Sequence, residues 1–332
     1  MDWSKGYSAS CYMTRVDPVT WRDLERIGIT GGTVSREISG LRQSADVDTT
    51  GFRPDSECWV RIWMDAAQAG DVAHEPLFTG LASVSQISIN GMLTTCPVEC
   101  YSVLKPAEDV ILERGYFAAV GTYAGSLIRD LLSVTPAPVV IEQTSPTLQQ
   151  TIIAEDSENR LSMVEKLLTA IHWRLRIDGD GTIRVGPWDS AERAAFGIYN
   201  DVIEPKVSLK ADWFSCPNVL RATSGEFTAV ARDDDPQSPL STVRRGREIW
   251  RAEGSVTLSS LESLEDYARR RLREEQAYAY RVGYDRRYDP AVNVSDVIRL
   301  HYPEQGLLGS YTVASQSIAL GDGAKVSEEV QK

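Results

Sequence analysis

"WRLRIDGDGTIRVGPW", Trp173–Trp188, has two readings, and the choice between them sets what kind of chain this is. Asp178 and Asp180 with their glycines are either the opening of a calcium loop or the turn of a β-hairpin. A calcium loop between two helices needs glycine at its sixth position for the sharp turn and glutamate at its twelfth for bidentate coordination. Counted from Asp178 these positions hold Ile183 and Asp189, and both tests fail. The flanks carry a different signal. Leu175 and Ile177 alternate with Arg174 and Arg176, and Ile183 and Val185 alternate with Thr182 and Arg184, the period of strands with one buried face. Gly and Asp between them tolerate the positive φ of a tight reversal. The stretch reads as a hairpin, with no metal ligand assigned.

Upstream of the hairpin, Leu161, Val164, Leu167, Leu168 and Ile171 recur at helical spacing after "AEDSENR", with Asp156 or Ser157 as the expected cap. His172 falls at that helix's end, where capping or packing is its expected role. Leu127, Ile128, Leu131 and Leu132 mark a shorter helix that the prolines of "TPAPVV" stop. Residues 105–205 therefore read as an α+β domain. Before it, from Tyr7 to about Leu104, come short strands divided by turns, "CWVRIWM" and "PLFTGLASVSQISINGMLTTCPVEC", with "SING" as a turn signal. Residues 1–104 are expected to form a small β-barrel or sandwich.

Beyond 205 the pattern is strand-like again. "PNVLRATS" and "FTAVARD" read as strands, and "DDDPQSPLS" as an exposed loop whose aspartates form a solvated tip. A long helix is expected over about 257–280, capped by Ser259 and Glu262 and buried through Leu261, Leu264, Ala268 and Leu272. Residues 206–332 are thus a second β-unit with a helical excursion. The order β, then α+β, then β suggests two related barrels flanking an insertion, an α+β fold that is mainly β.

Composition narrows the function. The chain has 332 residues, enough for two or three domains, and its formal net charge is −12. That balance disfavours a broad nucleic-acid surface, which needs clustered Lys and Arg. The one basic run, Ala268–Glu275, sits among acids at helical spacing, with Glu265 facing Arg269, Asp266 facing Arg270 and Arg271 facing Glu275. No stretch has the length and apolarity of a signal peptide or membrane helix, so a soluble protein made in a cytoplasm is expected. Cys11, Cys58, Cys96, Cys100 and Cys216 are odd in number and lack CxxC spacing, which points to reduced thiols.

Signals for catalysis are sparse. His74, His172 and His301 form no HExxH or HxH pair, and there is no GxSxG, P-loop or dinucleotide fingerprint. "GLRQ", Gly40–Gln43, follows Glu25 at a spacing like that of lytic transglycosylases, but those enzymes place the acid on a helix, whereas Glu25 precedes the glycine-bearing strand context "GITGGTVS". No catalytic residue, cofactor-binding residue or metal ligand is assigned.

Taken in order, "RVDPVTW", "WVRIWMD", "LFTGLASVSQ", "CYSVLKPAEDV", the helix entering "HWRLRIDGDGTIRVGPW", "PNVLRATSGEFTAVARDDDPQSPLST", "LESLEDYARRRL" and the closing "DPAVNVSDVIRLHYPEQGLLGSYTVASQSIALGDG" resemble the baseplate or tail hub proteins of long-tailed bacteriophages and phage tail-like particles. The resemblance runs over nearly the whole chain, and its weight lies in order and spacing. It implies two tail-tube-like antiparallel β-barrels, 1–104 and 206–332, joined through an α+β domain at 105–205. It implies a homotrimer forming a pseudo-sixfold ring between the tail tube protein and a spike or fibre, beside distal tail or baseplate proteins and the tape-measure protein. DNA would pass through the ring without specific binding, in a virion assembled in the bacterial cytoplasm. Many members also carry a C-terminal peptidoglycan hydrolase; with this sequence ending at Lys332, any lytic partner is expected to be another chain. Two other classes compete. A tail-tip cell-wall-degrading enzyme has against it the poverty of catalytic constellations, and a carbohydrate-binding module has no need of two barrels around a helical insertion.

Overall fold

Alternation of apolar and polar residues dominates the first hundred positions, and it produces long strands. The structure, a computed structural model, describes residues 1–84, 88–90, 93–142, 146–197, 203–211, 213–254, 256, 263–277, 280–321 and 323–331. The first unit comprises β1 (Ser8–Val16), β2 (Asp23–Glu37), β3 (Gln43–Thr49), β4 (Cys58–Gln68), β5 (Asp71–Ser83), β6 (Ser88–Asn90) and β7 (Leu93–Ser102). Six of these close a circuit, β1-β4-β5-β7-β3-β2 and back to β1, antiparallel at every step. Closure satisfies both edges of each strand. Met13, Val34, Val60, Ile62, Met64 and Phe78 fill the interior, fully buried. In the hairpin expected at "SING", Asn90 pairs with Leu93, while Gly91 and Met92 lie outside the described residues.

The intervening segment comprises α1 (Lys105–Asp109), β8 (Phe117–Ala118), α2 (Ala124–Leu132), β9 (Val139–Ile141), β10 (Ile152–Ile153), α3 (Arg160–Ile171), β11 (Trp173–Ile177) and β12 (Ile183–Pro187). β11 and β12 are the expected hairpin, in register from Trp173 opposite Pro187 to Ile177 opposite Ile183, and β9 joins β12 in parallel. The apolar stripe of α3, with Met163, Val164 and Leu167 fully buried, shares one core with Ile128 and Leu132 of α2 and with Leu175 and Ile183 of the hairpin. The cap differs from expectation. Asn159 accepts from the Ser162 amide at 2.8 Å, in place of Asp156 or Ser157. The helix starts later because the chain before it is bound to residues 110–112: Leu112 N–H donates to Glu158 O and Arg160 N–H to Val110 O. His172 ends α3 in the left-handed region at φ 56°.

The last part comprises β13 (Glu192–Gly197), β14 (Ile203–Ala211), β15 (Val219–Ser224), β16 (Phe227–Arg232), α4 (Thr242–Arg245), β17 (Trp250–Glu253), α5 (Leu264–Ala277), β18 (Tyr280–Arg287), β19 (Val297–Tyr302), β20 (Leu307–Ala319) and β21 (Lys325–Gln331). Six strands run in the order β13-β19-β20-β21-β18-β14. The β13–β19 pair is parallel, a departure from an all-antiparallel unit that follows from where the chain arrives out of the intervening segment. β15 and β16, expected beside these strands, instead form a separate three-stranded sheet with β17. Leu220, Ala222, Ala229 and Ala231 on its inner face meet Tyr267, Ala268 and Leu272 of α5, so strands and helix bury each other's apolar stripes locally. α5 is capped by Ser263, whose Oγ accepts from the Asp266 amide at 3.1 Å, and the expected span at 257–262 and 278–279 lies outside the described residues. The expected cap residues Ser259 and Glu262, with Leu261, lie outside the described residues.

β2 is long enough to serve twice. Its second half also pairs with β20, from Thr33 opposite Ala319 to Glu37 opposite Ser315. One continuous sheet, β7-β3-β2-β20-β21-β18-β14, therefore crosses from the first unit into the last. Among the described residues no helix is long and apolar enough to cross a membrane.

Candidate functional surfaces

The turn of the central hairpin is a peg seated on the first barrel. Gly181 N–H donates to Asp178 O at 2.9 Å, and Thr182 N–H to Asp180 Oδ1 at 2.9 Å, which closes the turn. Only Gly181 takes a positive φ, +85°; the aspartates do not, contrary to expectation. Trp21 Nε1 and Arg61 Nη2 donate to Asp180 O at 3.0 and 3.2 Å, and Thr79 Oγ1 donates to Gly179 O at 2.8 Å. A Cβ on Gly179 would sit 1.7 Å from the Pro76 carbonyl oxygen, so glycine is there for close backbone approach. The Asp178 carboxylate is held by Arg176 at 3.2 Å and by Arg184. Among the described residues no three or more His, Cys, Asp or Glu side chains gather as a metal site.

The residues weighed for chemistry are dispersed. Glu25 lies exposed on β2, paired with Arg15 at 3.3 Å. Gln43, which completes the "GLRQ" run, is buried on β3 and donates to Ile177 O at 2.8 Å, so it helps seat the peg. His74 sits exposed with Nδ1 2.7 Å from Asp65, His172 ends α3, and His301 lies on β19. The three aspartates of residues 233–235 bond mainly within their own loop: Asp233 accepts from Ser238 Oγ at 2.6 Å and from Gln276 Nε2 of α5 at 3.0 Å, Asp235 from the Gln237 backbone amide at 2.8 Å, and Asp234 from Thr242. Three arginines of the basic run are paired on α5 and beside it, Arg269 with Glu265, Arg270 with Glu274, and Arg271 with Glu275 and with Glu253 of β17. All five cysteines are free thiols; burial, then Asp65, pushes Cys11 up to about 11.

The outer face of the continuous sheet is the surface that sequence reading did not identify. Strand register lines up Tyr101, Ser44, Ser35, Ser317, Ser327 and Asp285 in one row across six strands. A neighbouring row runs Glu99, Asp46, Thr33, Ala319, and Asp48 lies one step beyond it on β3. Toward the last strands the face carries cations, three of them beside acids: Lys325 reaches Asp285 at 2.7 Å, Arg281 reaches Glu329 at 3.4 Å, and Lys210 reaches the same glutamate. Lys325 and Ser327 hold the Asp285 carboxyl below its ordinary value. The face thus carries hydroxyls and carboxylates, with Lys325, Arg281 and Lys210 paired in place.

No protein-family model matches the sequence, and no curated protein matches it. Solved structures do resemble the fold. The 43 kDa tail protein of prophage MuSo2 from Shewanella oneidensis superposes with a TM-score of 0.71 at 13% identity, over 97% of this chain and 96% of that one. The tail protein from Neisseria meningitidis MC58 gives 0.72 at 11% identity, over 98% and 97%. Prophage tail protein gp18 from Listeria monocytogenes EGD-e gives 0.56 at 10% identity, over 97% and 94%. The chain has the mainly β fold of these phage tail proteins, along nearly its whole length.

Proposed function

We propose that this chain is a structural hub of a phage tail or tail-like particle, in which three copies form a ring of six similar β-units around a DNA channel. The observation that carries the reading is the β2–β20 pairing, which makes one sheet of two β-units, as a ring wall with two units from each copy would require. The likeness to phage tail proteins supports a tail role. In this reading the first barrel occupies about 1–104 and the second about 206–332, with β13 added to it from the α+β part at about 105–205 and the β16-β15-β17 sheet standing apart from it, and the helical excursions lie outside or below the ring.

The hydroxyl and carboxylate face lines the channel. Carboxylates such as Asp46 and Asp48 repel DNA phosphates, and short serine side chains offer no cation to hold them, so DNA slides. The ring would meet the tail tube protein on one side and a spike or fibre on the other, beside distal tail or baseplate proteins and the tape-measure protein, in the virion. We assign no chemical step to the chain, and a cell-wall-degrading enzyme or a carbohydrate-binding module stands as the alternative. Electron cryomicroscopy of the assembled particle tests the reading. The expected result is a threefold ring with Ser35, Asp46 and Ser317 on the channel wall; a twofold or monomeric arrangement, or a wall rich in unpaired Lys and Arg, overturns it.

A further inference from the structure

Two exposed surfaces outside the shared sheet are apolar and opposite in charge. On the intervening unit, Phe117 of β8 stands opposite Ile153 of β10, and both are exposed (59% and 67%) while the adjacent Ala118 and Ile152 are buried. Ile111 and Val120, also exposed, extend this ribbon. Its charge is acidic on balance: Glu113 is exposed and makes no ion pair among the described residues, and Glu155, 85% exposed at its side chain, shares Lys166 at 3.7 Å with Glu158, which that lysine holds at 2.7 Å. Asp156 and Arg114, 3.8 Å apart and both exposed, offset each other.

The second surface is the outer face of the β16-β15-β17 sheet, whose other face α5 covers. Arg221 stands at its centre, in register with Val230 on one side and Ala252 on the other, with Trp250 one row away; Val230 and Trp250 are half exposed. Arg221 makes no ion pair among the described residues, which sets it apart from Arg232 nearby, paired with Glu248.

We infer that these two surfaces join neighbouring copies of this chain, the acidic ribbon of one against the Arg221 sheet face of the next. The inference rests on the ring reading. Unlike charges on unlike patches do not suit a contact of one patch with itself, but they suit a head-to-tail contact, and such contacts close into a ring when the rotation divides the circle. Burial against each other removes apolar surface from water and gives Arg221 the carboxylate it lacks, while like-charged pairings of the same surfaces are repelled. The surface on the helical excursion and the one on the α+β part would then form a girdle around the barrels.

Sedimentation of the full chain over a concentration series tests this, with Arg221→Glu, Glu113→Arg combined with Glu155→Arg, and all three together. Each reversed surface alone is expected to weaken association by about tenfold or more, and the triple variant to recover to within about threefold of the parent, because complementarity is restored with signs exchanged. Melting temperatures equal to the parent's establish that these exposed changes leave the fold intact. Phe117→Ser should weaken association in high salt as well as low, whereas the charge effects fade at about 1 M salt. A parent that trimerises with every variant unaffected overturns the docking surfaces alone, as does a triple variant that fails to recover. A parent that stays monomeric throughout overturns the ring reading itself.

Discussion

Apolar side chains dominate the interior of the first barrel, whose buried Arg36 and Arg61 bond to Gln316 and Asn293 of the last unit and to Asp23 and the hairpin turn, whereas the last unit buries a complete ion pair within its own core. Arg286 Nη2 lies 2.7 Å from Glu328 Oε2 with both side chains wholly buried. Gln316 Nε2 donates to the same oxygen at 2.8 Å, Tyr284 donates its hydroxyl to the other, and Phe196 lies 5.6 Å from the guanidinium. Burial opposes the charge on Arg286, and Glu328 outweighs it, holding the guanidinium above its ordinary value. The group spans β13, β18, β20 and β21. In the first barrel, closure fixes register, because a slip of one strand must be matched by all six. In the last unit no pairing joins β13 to β14 among the described residues, and a satisfied polar network supplies a second constraint: a slip of one residue would turn Glu328 outward and leave Arg286 alone. Apolar packing and buried polarity thus specify register in two units of one chain by different means.

The sharpest break of that contrast is Glu328→Leu. Leaving Arg286 buried without its carboxylate should cost about 3–5 kcal/mol, while Glu328→Leu with Arg286→Met should recover most of the loss. Urea unfolding of both variants measures it, and equal losses would mean that the pair does not act as a unit. Next in size is Gly179→Ala, which forces the peg away from Pro76 and should cost about 3 kcal/mol by the same measurement. A loss below about 1 kcal/mol would show that the peg is not seated as described.

Tyr284→Phe should cost about 2 kcal/mol near neutral pH through the lost hydrogen bond to a charged acceptor. Its pH dependence is more telling. Burial, then Glu328, raises Tyr284 well above the ordinary phenol value, and burial pushes Tyr7 and Tyr267 up to about 12. A raised folded pKa gives stability that is fully present below about pH 10 and lost as pH climbs through the folded value. The parent should therefore weaken above pH 10, and Tyr284→Phe should weaken less steeply; identical slopes would remove Tyr284 from the account. Smallest is Asp178→Asn with Asp180→Asn, expected to change stability by less than about 1 kcal/mol with no rise in Tm on adding calcium. A calcium-dependent shift of several degrees would restore the loop reading of that turn.

The central hairpin was legible because its evidence is local: alternation on both flanks and a turn between them. The stripes of α2 and α3 were legible for the same reason. The caps were not, since Asp156, Ser157 and Asn159 are all good cap residues and the choice was made by the chain's bonds to residues 110–112, distant in sequence. Leu220 and Ala222 announced one buried face without saying that α5 would cover it. The parallel pairing of β13 with β19 joins residues 192–197 to 297–301, and no local pattern encodes it. Ser35, Ser44, Ser317 and Ser327 are ordinary serines in the sequence and become a row only through register.

The pairing of β2 with β20 also orders events in time. β2 leaves the ribosome long before β20, so the edge of residues 33–37 stays open while everything between is made. An open edge is where a nascent chain pairs with the wrong strand or with another chain. The first barrel can close before synthesis ends, but the sheet that crosses into the last unit must wait, and its long-range pairing makes that step slow. A chain halted before Leu307 would carry a closed barrel with half of one strand still unpaired on one side, and that edge is where aggregation of incomplete chains would begin.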